Sequence, residues 1–154
     1  NDTLRPHILF EFTLSNIRCV AVHETAIEKW VGLTRRIIAI ERGYHCDDPS
    51  LIRHVYDLNA IESVEPIPDD FLMLAKEVVL TDAQQFKNQN PEYAANPVEE
   101  INRSLDLLRT RPLWRERYQD FIENMVFNPS LATDYDKAIN VIAELSKKVV
   151  SYLH

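Results

Sequence analysis

The sequence predicts a mainly α-helical chain with a short β element at its N-terminal end, and three observations carry that expectation. Only two glycines, Gly32 and Gly43, occur among 154 residues, while Leu, Ile, Val, Ala, Glu, Asp and Arg are frequent. From residue 25 onward apolar residues recur at three- and four-residue steps, the period of a helix with one buried face. Before residue 25, two short apolar runs read instead as strands. The expected layout is strands within 1–22 and a bundle of about six helices over 23–154.

The first strand is expected at His7-Ile8-Leu9-Phe10-Glu11-Phe12-Thr13-Leu14, with Ile8, Phe10 and Phe12 on one face and Leu9, Glu11 and Thr13 on the other. Arg18-Cys19-Val20-Ala21-Val22 reads as the second. Two strands do not make a stable sheet alone, so they must pair with others or form an edge element under the helices. Thr25 and Glu28 then have the spacing of a capping box. Ile27, Trp30, Val31, Thr34, Ile37 and Ile38 form the stripe that follows, and Gly43 is placed to end the helix in a left-handed conformation. Asp48-Pro49 opens a second helix with the stripe Leu51, Ile52, Val55, Leu58 and Ile61. Asp69 is expected to cap a third, through Phe71, Leu74, Ala75, Val78 and Val79 toward Phe86. Asn88 to Asn96 reads as a polar linker. Further helices are expected from Asn96-Pro97 to about Arg109, from Pro112 to about Val126, and from Asp134 to near Leu153.

Composition narrows the function classes. A formal charge of −7 argues against holding nucleic acid by bulk charge, so any RNA contact needs a local basic patch. Cys19 and Cys46 lack metal-ligand spacing and read as reduced thiols. No apolar run approaches the roughly 20 residues of a membrane span, and no signal peptide is visible, so a cytoplasmic protein without a membrane partner is expected. Asn1-Asp2-Thr3-Leu4-Arg5-Pro6 reads as the interior of a longer chain.

Three constellations have residues suited to chemistry. On the first long helix, Lys29, Gly32, Leu33 and Arg36 share a face apart from the Ile27, Trp30, Ile37 stripe. A glycine inside a helix costs about 1 kcal/mol relative to alanine. It could let a phosphate group approach the backbone between a lysine and an arginine, or the face could simply be solvated. In Arg53-His54-Val55-Tyr56-Asp57-Leu58, Arg53 and Asp57 are four apart and can pair. That pair is either an ordinary helix salt bridge or a carboxylate oriented toward the Lys29 and Arg36 row. Arg109 to Tyr118 holds four arginines, one glutamate and two aromatics. It can grip a phosphate backbone, or be a charged helix start whose aromatics turn into the core. Glu11 either points to water or belongs to a metal site. No HExxH, Walker A, GxGxxG or GxSxG sequence occurs.

These segments resemble, in order, the AbiEii/AbiGii-type toxin nucleotidyltransferases. Glu28-Lys29-Trp30-Val31-Gly32-Leu33-Thr34-Arg35-Arg36 is similar to the family's K-L-x-A-L-x-x-R motif, with Trp30 for the leucine and Gly32 for the alanine. Arg53-His54-Val55-Tyr56-Asp57-Leu58 is similar to its R-D/H-x-Y-D-L motif. Leu4 to Phe12 looks like the strand ending its sheet, and Pro112 to Phe127 like a late W-R-E-R-Y-x-x-F helix. The resemblance implies the C-terminal, mostly helical half of an α/β nucleotidyltransferase that moves a nucleotide from an NTP, with Mg²⁺, to an acceptor such as the tRNA 3′ end. It implies a toxin of a toxin–antitoxin or phage-defence system, with a cognate antitoxin as partner. Lys29 would contact the triphosphate and Asp57 would be the catalytic carboxylate. Arg36 and Arg53 would support phosphate or hold Asp57, and Glu11 would be a metal ligand. The family's Gly-Ser turn followed by Asp-x-Asp is absent, so these residues alone are expected to be inactive. Family members also commonly have a longer stretch where Asn16 runs straight into Ile17-Arg18-Cys19.

Two other readings compete. A non-catalytic helical module, docking an antitoxin or another partner, predicts Lys29, Arg36 and Asp57 spread apart or tied up in surface ion pairs. An RNA-binding helical domain would centre on Arg109 to Arg117.

Overall fold

The computed structural model describes the backbone of residues 5–125 and 128–153, and the side chains of residues 21–153 except those of 125–127 and 131. Among these residues the regular secondary structure is all helical: α1 (Arg5–Glu41), α2 (Arg53–Val64), α3 (Asp69–Gln85), α4 (Pro91–Ala95), α5 (Pro97–Thr110), α6 (Pro112–Met125) and α7 (Tyr135–Tyr152). Short 3₁₀ turns, Pro49–Ile52 and Pro129–Leu131, precede α2 and α7. No strand occurs among the described residues.

The expected strands within 1–22 are therefore corrected: 5–22 is the first half of α1. An isolated strand leaves its backbone N–H and C=O groups without a ladder, whereas a helix satisfies them internally. The capping box at Thr25 and Glu28 falls away with it. Once the preceding residues are helical, the amide groups after Thr25 bond four residues back and need no cap. The backbone also passes through Ser15, Asn16 and Ile17 as continuous helix.

The far end of α1 follows the expectation. Gly43 has φ +77°, its amide donates to Ile40 O (3.1 Å), and Tyr44 N donates to Ala39 O (2.9 Å). This is the Schellman arrangement, which glycine adopts without a Cβ penalty. Asp48, Asn96 and Asp134 each cap the element that follows by accepting a backbone amide. Asp69 is instead the first residue of α3, with Pro68 in the capping position. The expected linker at 88–96 contains α4, whose Tyr93 is buried and meets the Thr34 hydroxyl at 3.3 Å.

α1 is the central element, with α2, α3 and α5 packed around it and α7 closing against α2, α3 and α5. Ile27, Trp30, Val31, Thr34, Ile37 and Ile38 are all buried, as the period predicts. Trp30 Nε1 donates to Ser146 Oγ at 2.8 Å, which joins α1 to α7 through the core. α3 runs parallel to α1: the His23 and Phe71 rings are 5.5 Å apart at one end, and Arg35 pairs with Asp82 at the other. On α3, Leu72 is buried in place of the expected Leu74, which is exposed. This packing leaves one face of α1 turned toward α2 and the loop before it, where the charged residues gather.

Candidate functional site

Lys29, Gly32 and Arg36 lie along α1 at three- and seven-residue steps, and Arg53 and Asp57 lie one turn apart on α2. Packing of α2 on α1 brings the two rows together. Lys29 Nζ donates to Asp57 Oδ2 at 3.0 Å, and Arg53 Nε lies 3.8 Å from the same oxygen. Lys29 and Asp57 are half-buried, while Arg53 is largely exposed. Leu33, expected on the Lys29 face, turns inward and is fully buried. A Cβ built on Gly32 meets nothing within 4 Å, so the backbone between Lys29 and Arg36 borders open space. The glycine is not demanded by any neighbour in the bundle.

Arg36 is held from the loop before α2. Its Nη2 pairs with Asp48 Oδ2. The other Asp48 oxygen accepts from Ser50 N (3.1 Å) and Ser50 Oγ (2.6 Å). The Ser50 hydrogen bonds, and then the Arg36 charge, hold the Asp48 carboxyl below its ordinary pKa. His54 sits among Lys29, Arg36, Asp48 and Asp57, with Nδ1 buried and unpartnered among the described residues. Burial first, and the Lys29 and Arg36 charges second, push its pKa down, so the ring is neutral at pH 7. Sequence reasoning had passed over both groups. Asp48 was legible only as a helix start, and His54 only as a variable position of a motif.

Other expected groups are not brought to this place. The side chain of Glu11, expected as a metal ligand, lies outside the described residues. No group of three or more His, Cys, Asp or Glu suited to a metal ion occurs among the described residues. Of the carboxylates here, Asp57 faces Lys29 and Arg53, and Asp48 faces Arg36. The described residues therefore do not by themselves fit an Mg²⁺ cage. An Asp-x-Asp spacing does occur at Asp134 and Asp136, but both carboxylates are structural. Asp134 caps α7, and Asp136 pairs with Arg115 at 2.5 Å.

The arginine-rich stretch resolves in favour of the packing reading. Trp114 and Tyr118 are buried and unavailable for stacking on a base. Arg111 pairs with Glu41 (2.8 Å), Arg115 with Asp136 and Arg117 with Asp47 (2.5 Å). Arg109 donates to Asn140. With each guanidinium already facing an acceptor, the patch presents little free positive charge. Cys46 is a free, exposed thiol. No helix among the described residues is long and apolar enough to cross a membrane.

The fold and this face together define a helical bundle domain in which a lysine, two arginines and two carboxylates converge beside exposed helix backbone. A more particular assignment comes from comparison with known proteins. The model of the family described as nucleotidyl transferase AbiEii toxin, type IV toxin–antitoxin system, matches residues 2–141, and the chain belongs to that family. No curated protein and no solved structure matches it. The resemblance read from the Lys29 and Asp57 motifs is thereby shown at the level of the family, which is one of nucleotidyl transferases and toxins.

Proposed function

We propose that this chain forms the helical part of a nucleotidyltransferase toxin that moves a nucleotide from an NTP to an acceptor hydroxyl, the tRNA 3′ end being the acceptor implied by the family resemblance. The observation that carries the reading is the approach of Lys29 Nζ to Asp57 Oδ2, 3.0 Å, beside the open backbone at Gly32. Three cations, Lys29, Arg36 and Arg53, flank that space against two carboxylates, a balance suited to a polyphosphate.

In this reading the triphosphate takes over Lys29, and one Asp57 oxygen becomes available to the acceptor. The acceptor oxygen forms a bond to the α-phosphorus, and the bond to the bridging oxygen breaks. Pyrophosphate leaves with that electron pair, while the acceptor proton passes to Asp57. Arg53, one turn from Asp57, orients the carboxylate, and Arg36 holds a phosphate oxygen. The family resemblance implies Mg²⁺, which would supply neutralisation of phosphate charge if bound with the NTP; Asp57 and Asp48, already facing cations, are not assigned to hold it.

The test uses the complete gene product with each labelled NTP, Mg²⁺ and total tRNA, beside Lys29→Ala and Asp57→Ala. Label entering tRNA with the unaltered protein alone supports the reading and both residues. No transfer from a folded protein with any NTP rejects it. The competing reading is a binding module without chemistry, and the existing pairs Lys29–Asp57 and Arg36–Asp48 are what favours it. It predicts no label under any condition and no change in NTP binding when Lys29 is replaced.

A further inference from the structure

We infer that Asp48 is a positioning residue for nucleotide binding, fixing the Arg36 guanidinium beside the Lys29 and Asp57 pair. The inference rests on the reading of Arg36 as a phosphate ligand.

The two Asp48 oxygens do separate work. Oδ1 accepts from Ser50 N and Ser50 Oγ, which locks the carboxylate to the 3₁₀ turn at Pro49–Ile52. Oδ2 faces Arg36 Nη2 on α1. The remaining Arg36 N–H groups have no partner among the described residues. An arginine anchored at one terminal nitrogen and free elsewhere is pre-oriented for planar phosphate recognition, and less side-chain entropy is lost on binding. The loop that carries Asp48 is itself pinned from the far side. Asp47 receives both terminal nitrogens of Arg117, at 2.9 and 2.5 Å, and Arg117 lies over the Trp114 ring of α6. The α1 to α2 connection thus holds Arg36 from a fixed base.

Asparagine caps a helical turn about as well as aspartate, so Asp48→Asn keeps the Ser50 interactions through its Oδ1 and turns an amide NH2 donor toward Arg36 Nη2, which removes the contact to Arg36. In the complete protein assayed with labelled NTP and tRNA, Asp48→Asn is expected to raise the NTP KM about five- to tenfold with kcat within about twofold. Its thermal midpoint should stay close to that of the unaltered protein. In an Arg36→Ala background the same change should add nothing, because the contact it perturbs is already gone. Asp47→Asn, in the same loop but facing Arg117, should leave the KM unchanged.

An unchanged or lowered KM in Asp48→Asn, with Arg36→Ala impaired, overturns the positioning role and leaves the nucleotide reading intact. An effect of equal size in Asp47→Asn overturns it as well, by assigning the change to the loop as a whole. If Arg36→Ala itself leaves the NTP KM unchanged, the phosphate role of Arg36 falls and this inference falls with it.

Discussion

Lys29 and Asp57, 28 positions apart in the chain, meet with Nζ 3.0 Å from Oδ2. The contact spans two helices and leaves both side chains about a quarter exposed, at 27% and 22%. An ion pair with that much solvent contributes on the order of 0–1 kcal/mol to stability. Asp57→Asn and Lys29→Met should therefore change unfolding free energy by no more than about 1 kcal/mol, while nucleotide transfer falls about 100-fold or more. Urea titration beside the labelling assay checks this. A loss of several kcal/mol would make the pair structural.

Gly32 borders open space. Replacing it by alanine should stabilise the protein by up to about 1 kcal/mol, since no neighbour is displaced and helix propensity improves. Leucine should be accepted by the fold yet project into the space between Lys29 and Arg36, raising the NTP KM. If leucine leaves the KM unaltered, nothing binds against this stretch of backbone.

The depressed pKa of His54 has a definite sign. Below the ordinary value of 6.5 the unfolded chain takes up a proton that the folded protein, with a half-buried ring near Lys29 and Arg36, resists. The contribution of this group to stability is complete above that value and is lost as pH falls through the folded pKa. Between pH 7 and pH 5, His54→Gln should flatten the pH dependence of the thermal midpoint. Parallel curves for the two proteins would assign the acid sensitivity elsewhere.

Trp30 occupies the leucine position of the family motif, and it is 1% exposed. Its indole N–H reaches Ser146, so phenylalanine should lose that hydrogen bond and leave a small void. A cost of about 1–3 kcal/mol is expected, read as a lowered denaturation midpoint. A neutral effect would mean that shape alone matters there.

Much of this was legible in the sequence because it is local. The Ile27 to Ile38 stripe, the Gly43 terminus and the caps at Asp48, Asn96 and Asp134 depend on residues within a few positions of one another, and period and residue type report them directly. The motif spacing likewise placed Lys29, Arg36, Arg53 and Asp57 in one family pattern. Other features depended on distant partners. The β-rich composition of 7–22 pointed to strands, but a strand exists only with a ladder partner, and in this fold the segment is helix. The arginines of 109–117 looked like an RNA patch until Glu41, Asp47 and Asp136 arrived from other elements to pair with three of them. Asp48 was visible as a cap, but only the packing of its loop against α1 turned its second oxygen to Arg36. The sequence thus determined the helical segments from residue 25 on apart from α4, and the Lys29, Arg36, Arg53 and Asp57 rows, but not the parts of Asp48 and His54. The tertiary structure alone decided which charges remain free, because pairing across helices is set by packing and not by spacing along the chain.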